Sequence, residues 1–229
     1  MNWQLMLDSI WPLLGGLPVT IELVVLSLAL GFALAIGLAL MRLSDVAILS
    51  ALAYGFSFVF RGTPLLVQIF LVYYGFGQFE AVRDSVVWPV LREPFGCAVI
   101  ALTLNTAAYT SEIIRGGLQA VPLGQIEAAR ACGMSPALVF RRISFPQALR
   151  YALPAYGNEI ILMVKATSLA STITLLEVTG IARKMIAQTF APLEIFIVAG
   201  AIYLLLNFIV TQLVNHLEAR LSPLARNAH

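Results

Sequence analysis

The chain has 229 residues, of which 60% are hydrophobic and only 11% charged, against roughly 25% charged in an ordinary soluble domain. Its 14 Lys and Arg and 12 Asp and Glu are too few to cover a water-facing surface, which excludes soluble, disordered and fibrous classes and leaves an all-α polytopic membrane protein. A net charge of +2 does not indicate nucleic acid, and the two distant cysteines, Cys97 and Cys132, make neither a disulfide framework nor a metal site and read as small apolar fillers.

In chain order, the segment before Leu17 contains Asp8 and no Lys or Arg, so no cleavable signal is expected and the N-terminus is placed outside. A bilayer core takes about 20 apolar residues of helix. The first span covers 17–41, with Gly31 and Gly37 suited to close approach by another helix. The second, 48–77, is too long for one straight crossing and is split at Arg61-Gly62-Thr63-Pro64. After an outer loop with Trp88 comes the third span, 95–114. The fourth covers 147–164 and the fifth 195–214, followed by a tail with Arg220 and Arg226. The amphipathic run Leu175 to Thr189 between them suits a short helix lying at the outer interface, with Glu177 and Glu194 neutralising Arg183 and Lys184. About five crossings make 1–229 a single membrane domain with its C-terminus inside.

Polar groups inside spans are expensive and face a pathway or one another. Asn105, Tyr109 and Glu112 are spaced by four and three residues and share one stripe of the third span. Glu159 is suited to a substrate ammonium or cationic side chain, or else to an ion pair with Lys165 or Arg61. Arg61 and Pro64 mark either a boundary or a gate, where a helix start attracts a carboxylate. Glu112 and Arg115 read as a pair at the inner end of span three. Thr167, Ser168, Ser171 and Thr172 offer hydroxyls to a substrate or return them to their own backbone; Gln68 is left undecided.

The loop 125–146 carries the densest positive charge, including Arg130, Arg141 and Arg142, and is placed inside. Glu127 to Ala131 is good helix sequence with small residues, Gly133 suits a left-handed stop, and Pro136 suits a new start, so two short angled helices are expected. Glu127-Ala128-Ala129, three residues, Gly133, nine residues, Ile143, two residues and Pro146 make the chain resemble the membrane permease subunits of bacterial ATP-binding-cassette importers. Phe145 stands where such motifs often carry Leu. The segments Phe60 to Leu65, Leu104 to Glu112, Ala152 to Glu159 and Lys165 to Ala170 resemble the polar amino-acid branch, and within it the M-type permease of histidine, arginine, lysine, ornithine and opine systems.

The resemblance implies a type I importer permease fold in the bacterial inner membrane, with a periplasmic N-terminus. It also implies a Q-type sister permease, two ATPase subunits carrying ATP and Mg, and a periplasmic amino-acid-binding protein. It places ATPase coupling on Glu127, Ala128, Ala129, Gly133, Ile143 and Pro146, and the substrate pathway on Asn105, Tyr109, Glu159, Thr167 and Ser168. The chain has no Gly-x-x-x-x-Gly-Lys-Ser/Thr, so the energy must come from a partner. It also lacks His-Glu-x-x-His and Gly-x-Ser-x-Gly, and His216 and His229 sit in the tail, so it reads as no enzyme. The rival reading is a self-contained oligomeric secondary transporter or channel, which often shows paired inverted halves.

Overall fold

The computed structural model describes residues 2–221, which are helical with no strand among them; Arg226 and His229 lie outside that range. The chain opens with α1 (Trp3–Leu14), capped by the Asn2 side chain accepting from the Leu5 N–H at 3.2 Å. This helix was not anticipated from the sequence. It stops at Gly15-Gly16, and Pro18 lies in the first turn of α2 (Leu17–Arg42). Next come α3 (Ala47–Gly62) and α4 (Leu65–Phe70), which runs on through a π turn, Leu71–Gly75, and a 3₁₀ turn, Phe76–Gln78. Two single turns, α5 (Glu80–Arg83) and α6 (Trp88–Leu91), lead to α7 (Pro94–Gln119).

The short helices α8 (Leu123–Ala131) and α9 (Pro136–Val139) follow. A π turn, Phe140–Ser144, carries α9 directly into α10 (Phe145–Ala166), which tightens into a 3₁₀ stretch, Thr167–Ile173. The chain closes with α11 (Val178–Thr189) and α12 (Pro192–Leu221). Three helices, α2, α7 and α12, are each long and apolar enough to cross a membrane. Two bent pairs, Ala47–Gly62 with Leu65–Gln78 at 105° and Pro136–Ile173 with Val178–Thr189 at 46°, bring the number to five if each counts as one span.

Lipid tails are as apolar as leucine, so helices in a bilayer associate by close packing through small residues. α2 and α7 lie together along much of their length, and at Gly31 an added Cβ would fall on the methyl of Thr106. Gly37, expected to serve the same purpose, has nothing within 4 Å of an added Cβ. It faces away from α7, because six residues advance a helix by about 600°, 120° short of two full turns. Gly117 meets the Ala148 carbonyl where α7 crosses α10, and Gly157 meets Val214 where α10 crosses α12.

The main core gathers Leu23, Ile69, Leu102, Met163 and Ile173 from α2, α4, α7, α10 and the 3₁₀ stretch. A second core joins Leu13 of α1, Val178 and Ala182 of α11, and Ile195 and Val198 of α12. α11 is therefore packed into the bundle on one face. Glu177 does not neutralise Arg183: its carboxylate caps α11, accepting from the Gly180 N–H at 2.8 Å and the Thr179 N–H at 2.9 Å, and receives the Tyr203 hydroxyl. Arg183 instead donates to the Ser171 carbonyl at 3.0 Å.

Candidate functional site

The sharper of the two bent pairs, 105° between α3 and α4, forms the first part of the site. A residue before proline is pushed out of the helical region, and Thr63 and Pro64 both have extended backbone, with ψ of 146° and 131°. Ending α3 there leaves its last carbonyls without helical partners. Gln68 supplies them from the next helix: its amide nitrogen lies 2.8 Å from the Phe60 carbonyl, 3.1 Å from the Thr63 carbonyl and 2.9 Å from the Thr63 hydroxyl. Asn105 on α7 completes the clamp, donating to Gln68 Oε1 at 3.0 Å and to the Phe60 carbonyl at 3.2 Å. Gln68 and Asn105 thus hold the elbow as a unit.

One turn along the same stripe, Tyr109 lies beneath Arg61, whose guanidinium carbon is 5.3 Å from the ring centroid. The two residues border a cleft of about 370 Å³, shared with Tyr54, Ser57, Phe58, Gly62 and Glu112. Glu112 does not present a free carboxylate there. Arg115 binds it at 2.7 Å and Arg42 at 3.3 Å, so α2 and α7 are tied at this level. Arg61 makes no ion pair with a described residue and is the cleft's uncompensated cation. Aromatic walls around one free guanidinium suit a carboxylate-bearing ligand with an apolar or cationic remainder.

The other pathway residues fall elsewhere. Glu159 is buried on α10 and accepts from the Thr106 hydroxyl at 2.8 Å; it makes no ion pair with Lys165 or Arg61. Its neighbourhood is the α2–α7–α10 packing around Gly31, and it does not line the Arg61 cleft. Thr167 and Ser168 donate back to the Val164 and Lys165 carbonyls at 2.8 and 2.7 Å, and Ser171 and Thr172 do likewise to Ser168 and Leu169. These hydroxyls tighten the end of α10 into its 3₁₀ stretch. Thr106 was missed from the sequence because a threonine in an apolar run carries no signal of what faces it.

At the other part of the site, α8 and α9 form a bent arm between α7 and α10. Gly133 has a φ of +80°, the left-handed region that disfavours a side chain. Its N–H bonds the Arg130 carbonyl at 2.9 Å, and the Met134 N–H bonds the Ala129 carbonyl at 3.2 Å, which closes α8 with a Schellman motif. Ser135 then caps α9 by accepting from the Leu138 N–H. Glu127, Ala128 and Arg130 are exposed, while Ala129 is buried against the arm's own interior. Ile143 and Pro146 are half-buried at the join to α10, and Gln147 there donates to Gln125 on α8. That glutamine pair, absent from the sequence reading, braces the arm across its bend.

Residues 27–223 match the family described as the binding-protein-dependent transport system inner membrane component. The chain is 58% identical over 224 residues to the nopaline transport system permease protein NocM of Agrobacterium fabrum, covering 97% of this chain and 93% of that one. It is 41% identical over 206 residues to the histidine/lysine/arginine/ornithine transport system permease protein HisM of Escherichia coli, covering 90% and 87%. A solved structure described as an amino acid ABC transporter with histidines superposes with a TM-score of 0.86 at 34% identity, covering 96% and 99%. The MetNI methionine ABC transporter, inward facing, shares the fold with a TM-score of 0.76 at 16% identity, covering 94% and 98%.

The fold is therefore that of a type I ABC importer permease, a multi-pass protein of the bacterial inner membrane whose ATPase is a separate subunit. A self-contained secondary transporter or channel is set aside. The exposed bent arm and the broken second span belong to a chain that is a member of the binding-protein-dependent transport system inner membrane component family, the permease subunit of an importer.

Proposed function

We propose that this permease serves an importer of basic amino acids or opines, paired with a similar Q-type permease above two ATPase subunits and supplied by a periplasmic binding protein. Relatives named for nopaline, for octopine and for histidine, lysine, arginine and ornithine support that substrate class. The N-terminus is periplasmic and the arm and C-terminus cytoplasmic, in keeping with the arginines of the 125–146 loop.

The observation that carries the reading is the arm itself: a rigid, exposed helix turned through a left-handed glycine and spliced into a membrane helix at each end. Glu127 and Ala128 form the seat that enters an ATPase groove, with Ala129 packed beneath them in the arm's own interior. Gly133 holds the angle, and Ile143 and Pro146 pass the movement to α10. Closure of the ATPases on nucleotide then tilts α7 and α10 together, which is alternating access by a coupled two-state element.

On the substrate path, Tyr109 and Arg61 line the cleft wall, while Pro64 and Asn105 set the elbow that shapes it. Apart from that cleft, Glu159 supplies negative charge beside Thr106, and Thr167 and Ser168, whose protons are spent on the Val164 and Lys165 carbonyls, offer a substrate their oxygen lone pairs.

The test replaces Gly133 with Val in the assembled complex. A branched side chain at a φ of +80° costs about 1–3 kcal/mol locally, too little to prevent insertion. Expected are normal membrane levels, with loss of both binding-protein-stimulated ATP hydrolysis and uptake of labelled arginine, histidine or octopine. Normal uptake in Gly133→Val would sink the lever, and uptake of acidic amino acids in preference to basic ones by the unmodified complex would sink the substrate class.

A further inference from the structure

At the end of the bundle that carries the arm, α2, the last turns of α7 and the first turns of α10 leave a groove of about 250 Å³ between them. Leu43, Leu118 and Phe140 stand at its mouth. Phe32 and Tyr156 close its far end, their ring centroids 5.4 Å apart. Apart from the Tyr156 hydroxyl, every lining side chain is hydrocarbon. Along α2, Leu43 to Phe32 spans roughly 16 Å at 1.5 Å per residue. That is about one leaflet of a hydrocarbon core roughly 30 Å thick. The groove is one acyl chain deep.

Its mouth is not neutral. Phe140 and Phe145, whose ring centroids lie 6.0 Å apart, bracket Arg141 and Arg142 on one π turn. Both arginines are exposed, as is Arg150 further along α10. None of the three makes an ion pair or a side-chain hydrogen bond with a described residue, whereas Arg42 and Arg115 at the same end are both held by Glu112. Guanidinium forks bind phosphate oxygens in pairs, and basic pockets between membrane helices take anionic headgroups. α2, which forms one wall, exposes Ile21, Val25, Leu26 and Leu40 along the side that a bilayer would cover.

We propose that this groove is a binding site for an anionic phospholipid, its acyl chain running from Phe140 toward Phe32 and Tyr156 and its phosphate held by Arg141 and Arg142. An apolar protein segment would fill the hydrocarbon part and leave both guanidiniums unpaired; a phospholipid satisfies both halves at once. The bound lipid sits against the join of arm and α10, so it braces the segment through which the arm moves. This goes beyond the transport reading, and its primary readout, lipid retention, does not depend on uptake.

The test uses the purified complex with all its subunits, equilibrated in detergent with equal amounts of phosphatidylglycerol and phosphatidylcholine of the same chain length. Retained lipid is identified by native mass spectrometry. A preference for phosphatidylglycerol is expected, falling on the order of fivefold for each charge removed in Arg141→Gln and Arg142→Gln. Ile36→Trp, which fills the groove from its exposed wall, is expected to remove the retained lipid. An unchanged preference in the double arginine variant overturns the site. Phosphatidylglycerol with a photoactivatable group on its acyl chain gives a second measurement on the unmodified complex. Adducts within 36–43 and 140–156 support the site; adducts in neither, or a cross-link from Leu149→Cys to the partner permease, overturn it.

Discussion

At the scale of single residues, the structure separates polar side chains that hold the backbone from those free to meet a ligand. Gln68 and Asn105 spend their amides on the carbonyls that the break at Thr63-Pro64 orphans. Gln68→Leu keeps the volume but takes the donor from the Thr63 carbonyl and the acceptor from Asn105, leaving Asn105 alone on the Phe60 carbonyl, a cost of about 1–3 kcal/mol. The variant complex is expected to melt several degrees lower in a thermal unfolding scan in detergent; an unchanged midpoint would show that the elbow is held by packing alone. Glu159 is a different case, because Gln in its place still accepts from Thr106 while losing the charge. Glu159→Gln is expected to lower uptake of cationic amino acids more than uptake of neutral ones, measured in proteoliposomes with labelled arginine and labelled glutamine. Equal losses would make Glu159 a structural partner of Thr106 and nothing more. The chain order showed that Gln68, Asn105 and Glu159 are expensive in a bilayer, but not what each one faces. For Gln68 and Asn105 that depends on a 105° bend whose location the proline announced and whose direction it did not, and for Glu159 on the packing of α10 against Thr106 of α7.

At the scale of elements, two glycines on α2 make the same point by contrast. Gly31 lies where an added Cβ would fall on Thr106 of α7, with the Thr103 carbonyl 3.3 Å away, while Gly37 has no neighbour within 4 Å. Gly31→Val is expected to separate α2 from α7, with overpacking of about 1–3 kcal/mol. Gly37→Val is expected to leave stability unchanged or slightly raised, since it replaces a glycine in an exposed helix position. Thermal midpoints of the two variant complexes check this, and similar midpoints for both would contradict the packing described. The sequence is informative about elements where composition is one-sided: the apolar runs of α2, α7 and α12, the break at Pro64 and the left-handed stop at Gly133 all carry local chemical signals. It is uninformative where a helix is short and its partner distant. The first helix, α1, had its Asn2 cap and Gly15-Gly16 stop in plain view, yet its burial depends on α11 and α12 nearly 180 residues away. Glu177 likewise reads as a surface charge until Tyr203 is brought to it across 26 residues.

At the scale of the whole molecule, the two cores meet at Tyr203 of α12, which packs against both, while α10 runs on through its 3₁₀ stretch into α11. The first core gathers α2, α4, α7 and α10, between which the arm is mounted; the second gathers α1, α11 and α12. A movement entering at α8 tilts α10, which crosses α12 where Gly157 lies against Val214 and Glu218. Even one Cβ at Gly157 would fall on the Val214 methyl, and the Val214 backbone belongs to a 30-residue helix that cannot yield locally. The Glu218 carboxylate, 3.2 Å from the added atom, is the end of a flexible side chain and can swing aside. Gly157→Ala is therefore expected to lower the thermal midpoint of the complex and its uptake rate together. Val214→Ala removes the obstructing methyl at a cost of about 1–3 kcal/mol, so alone it is also mildly destabilising. Because the two positions touch, their effects are not additive: the Gly157→Ala/Val214→Ala double variant is expected to be more stable than Gly157→Ala and to regain part of its transport. A double variant whose losses equal the sum of the singles would mean that Gly157 and Val214 are not coupled through this contact. A double variant that regains stability without regaining uptake would mean that the crossing carries the fold but not the stroke.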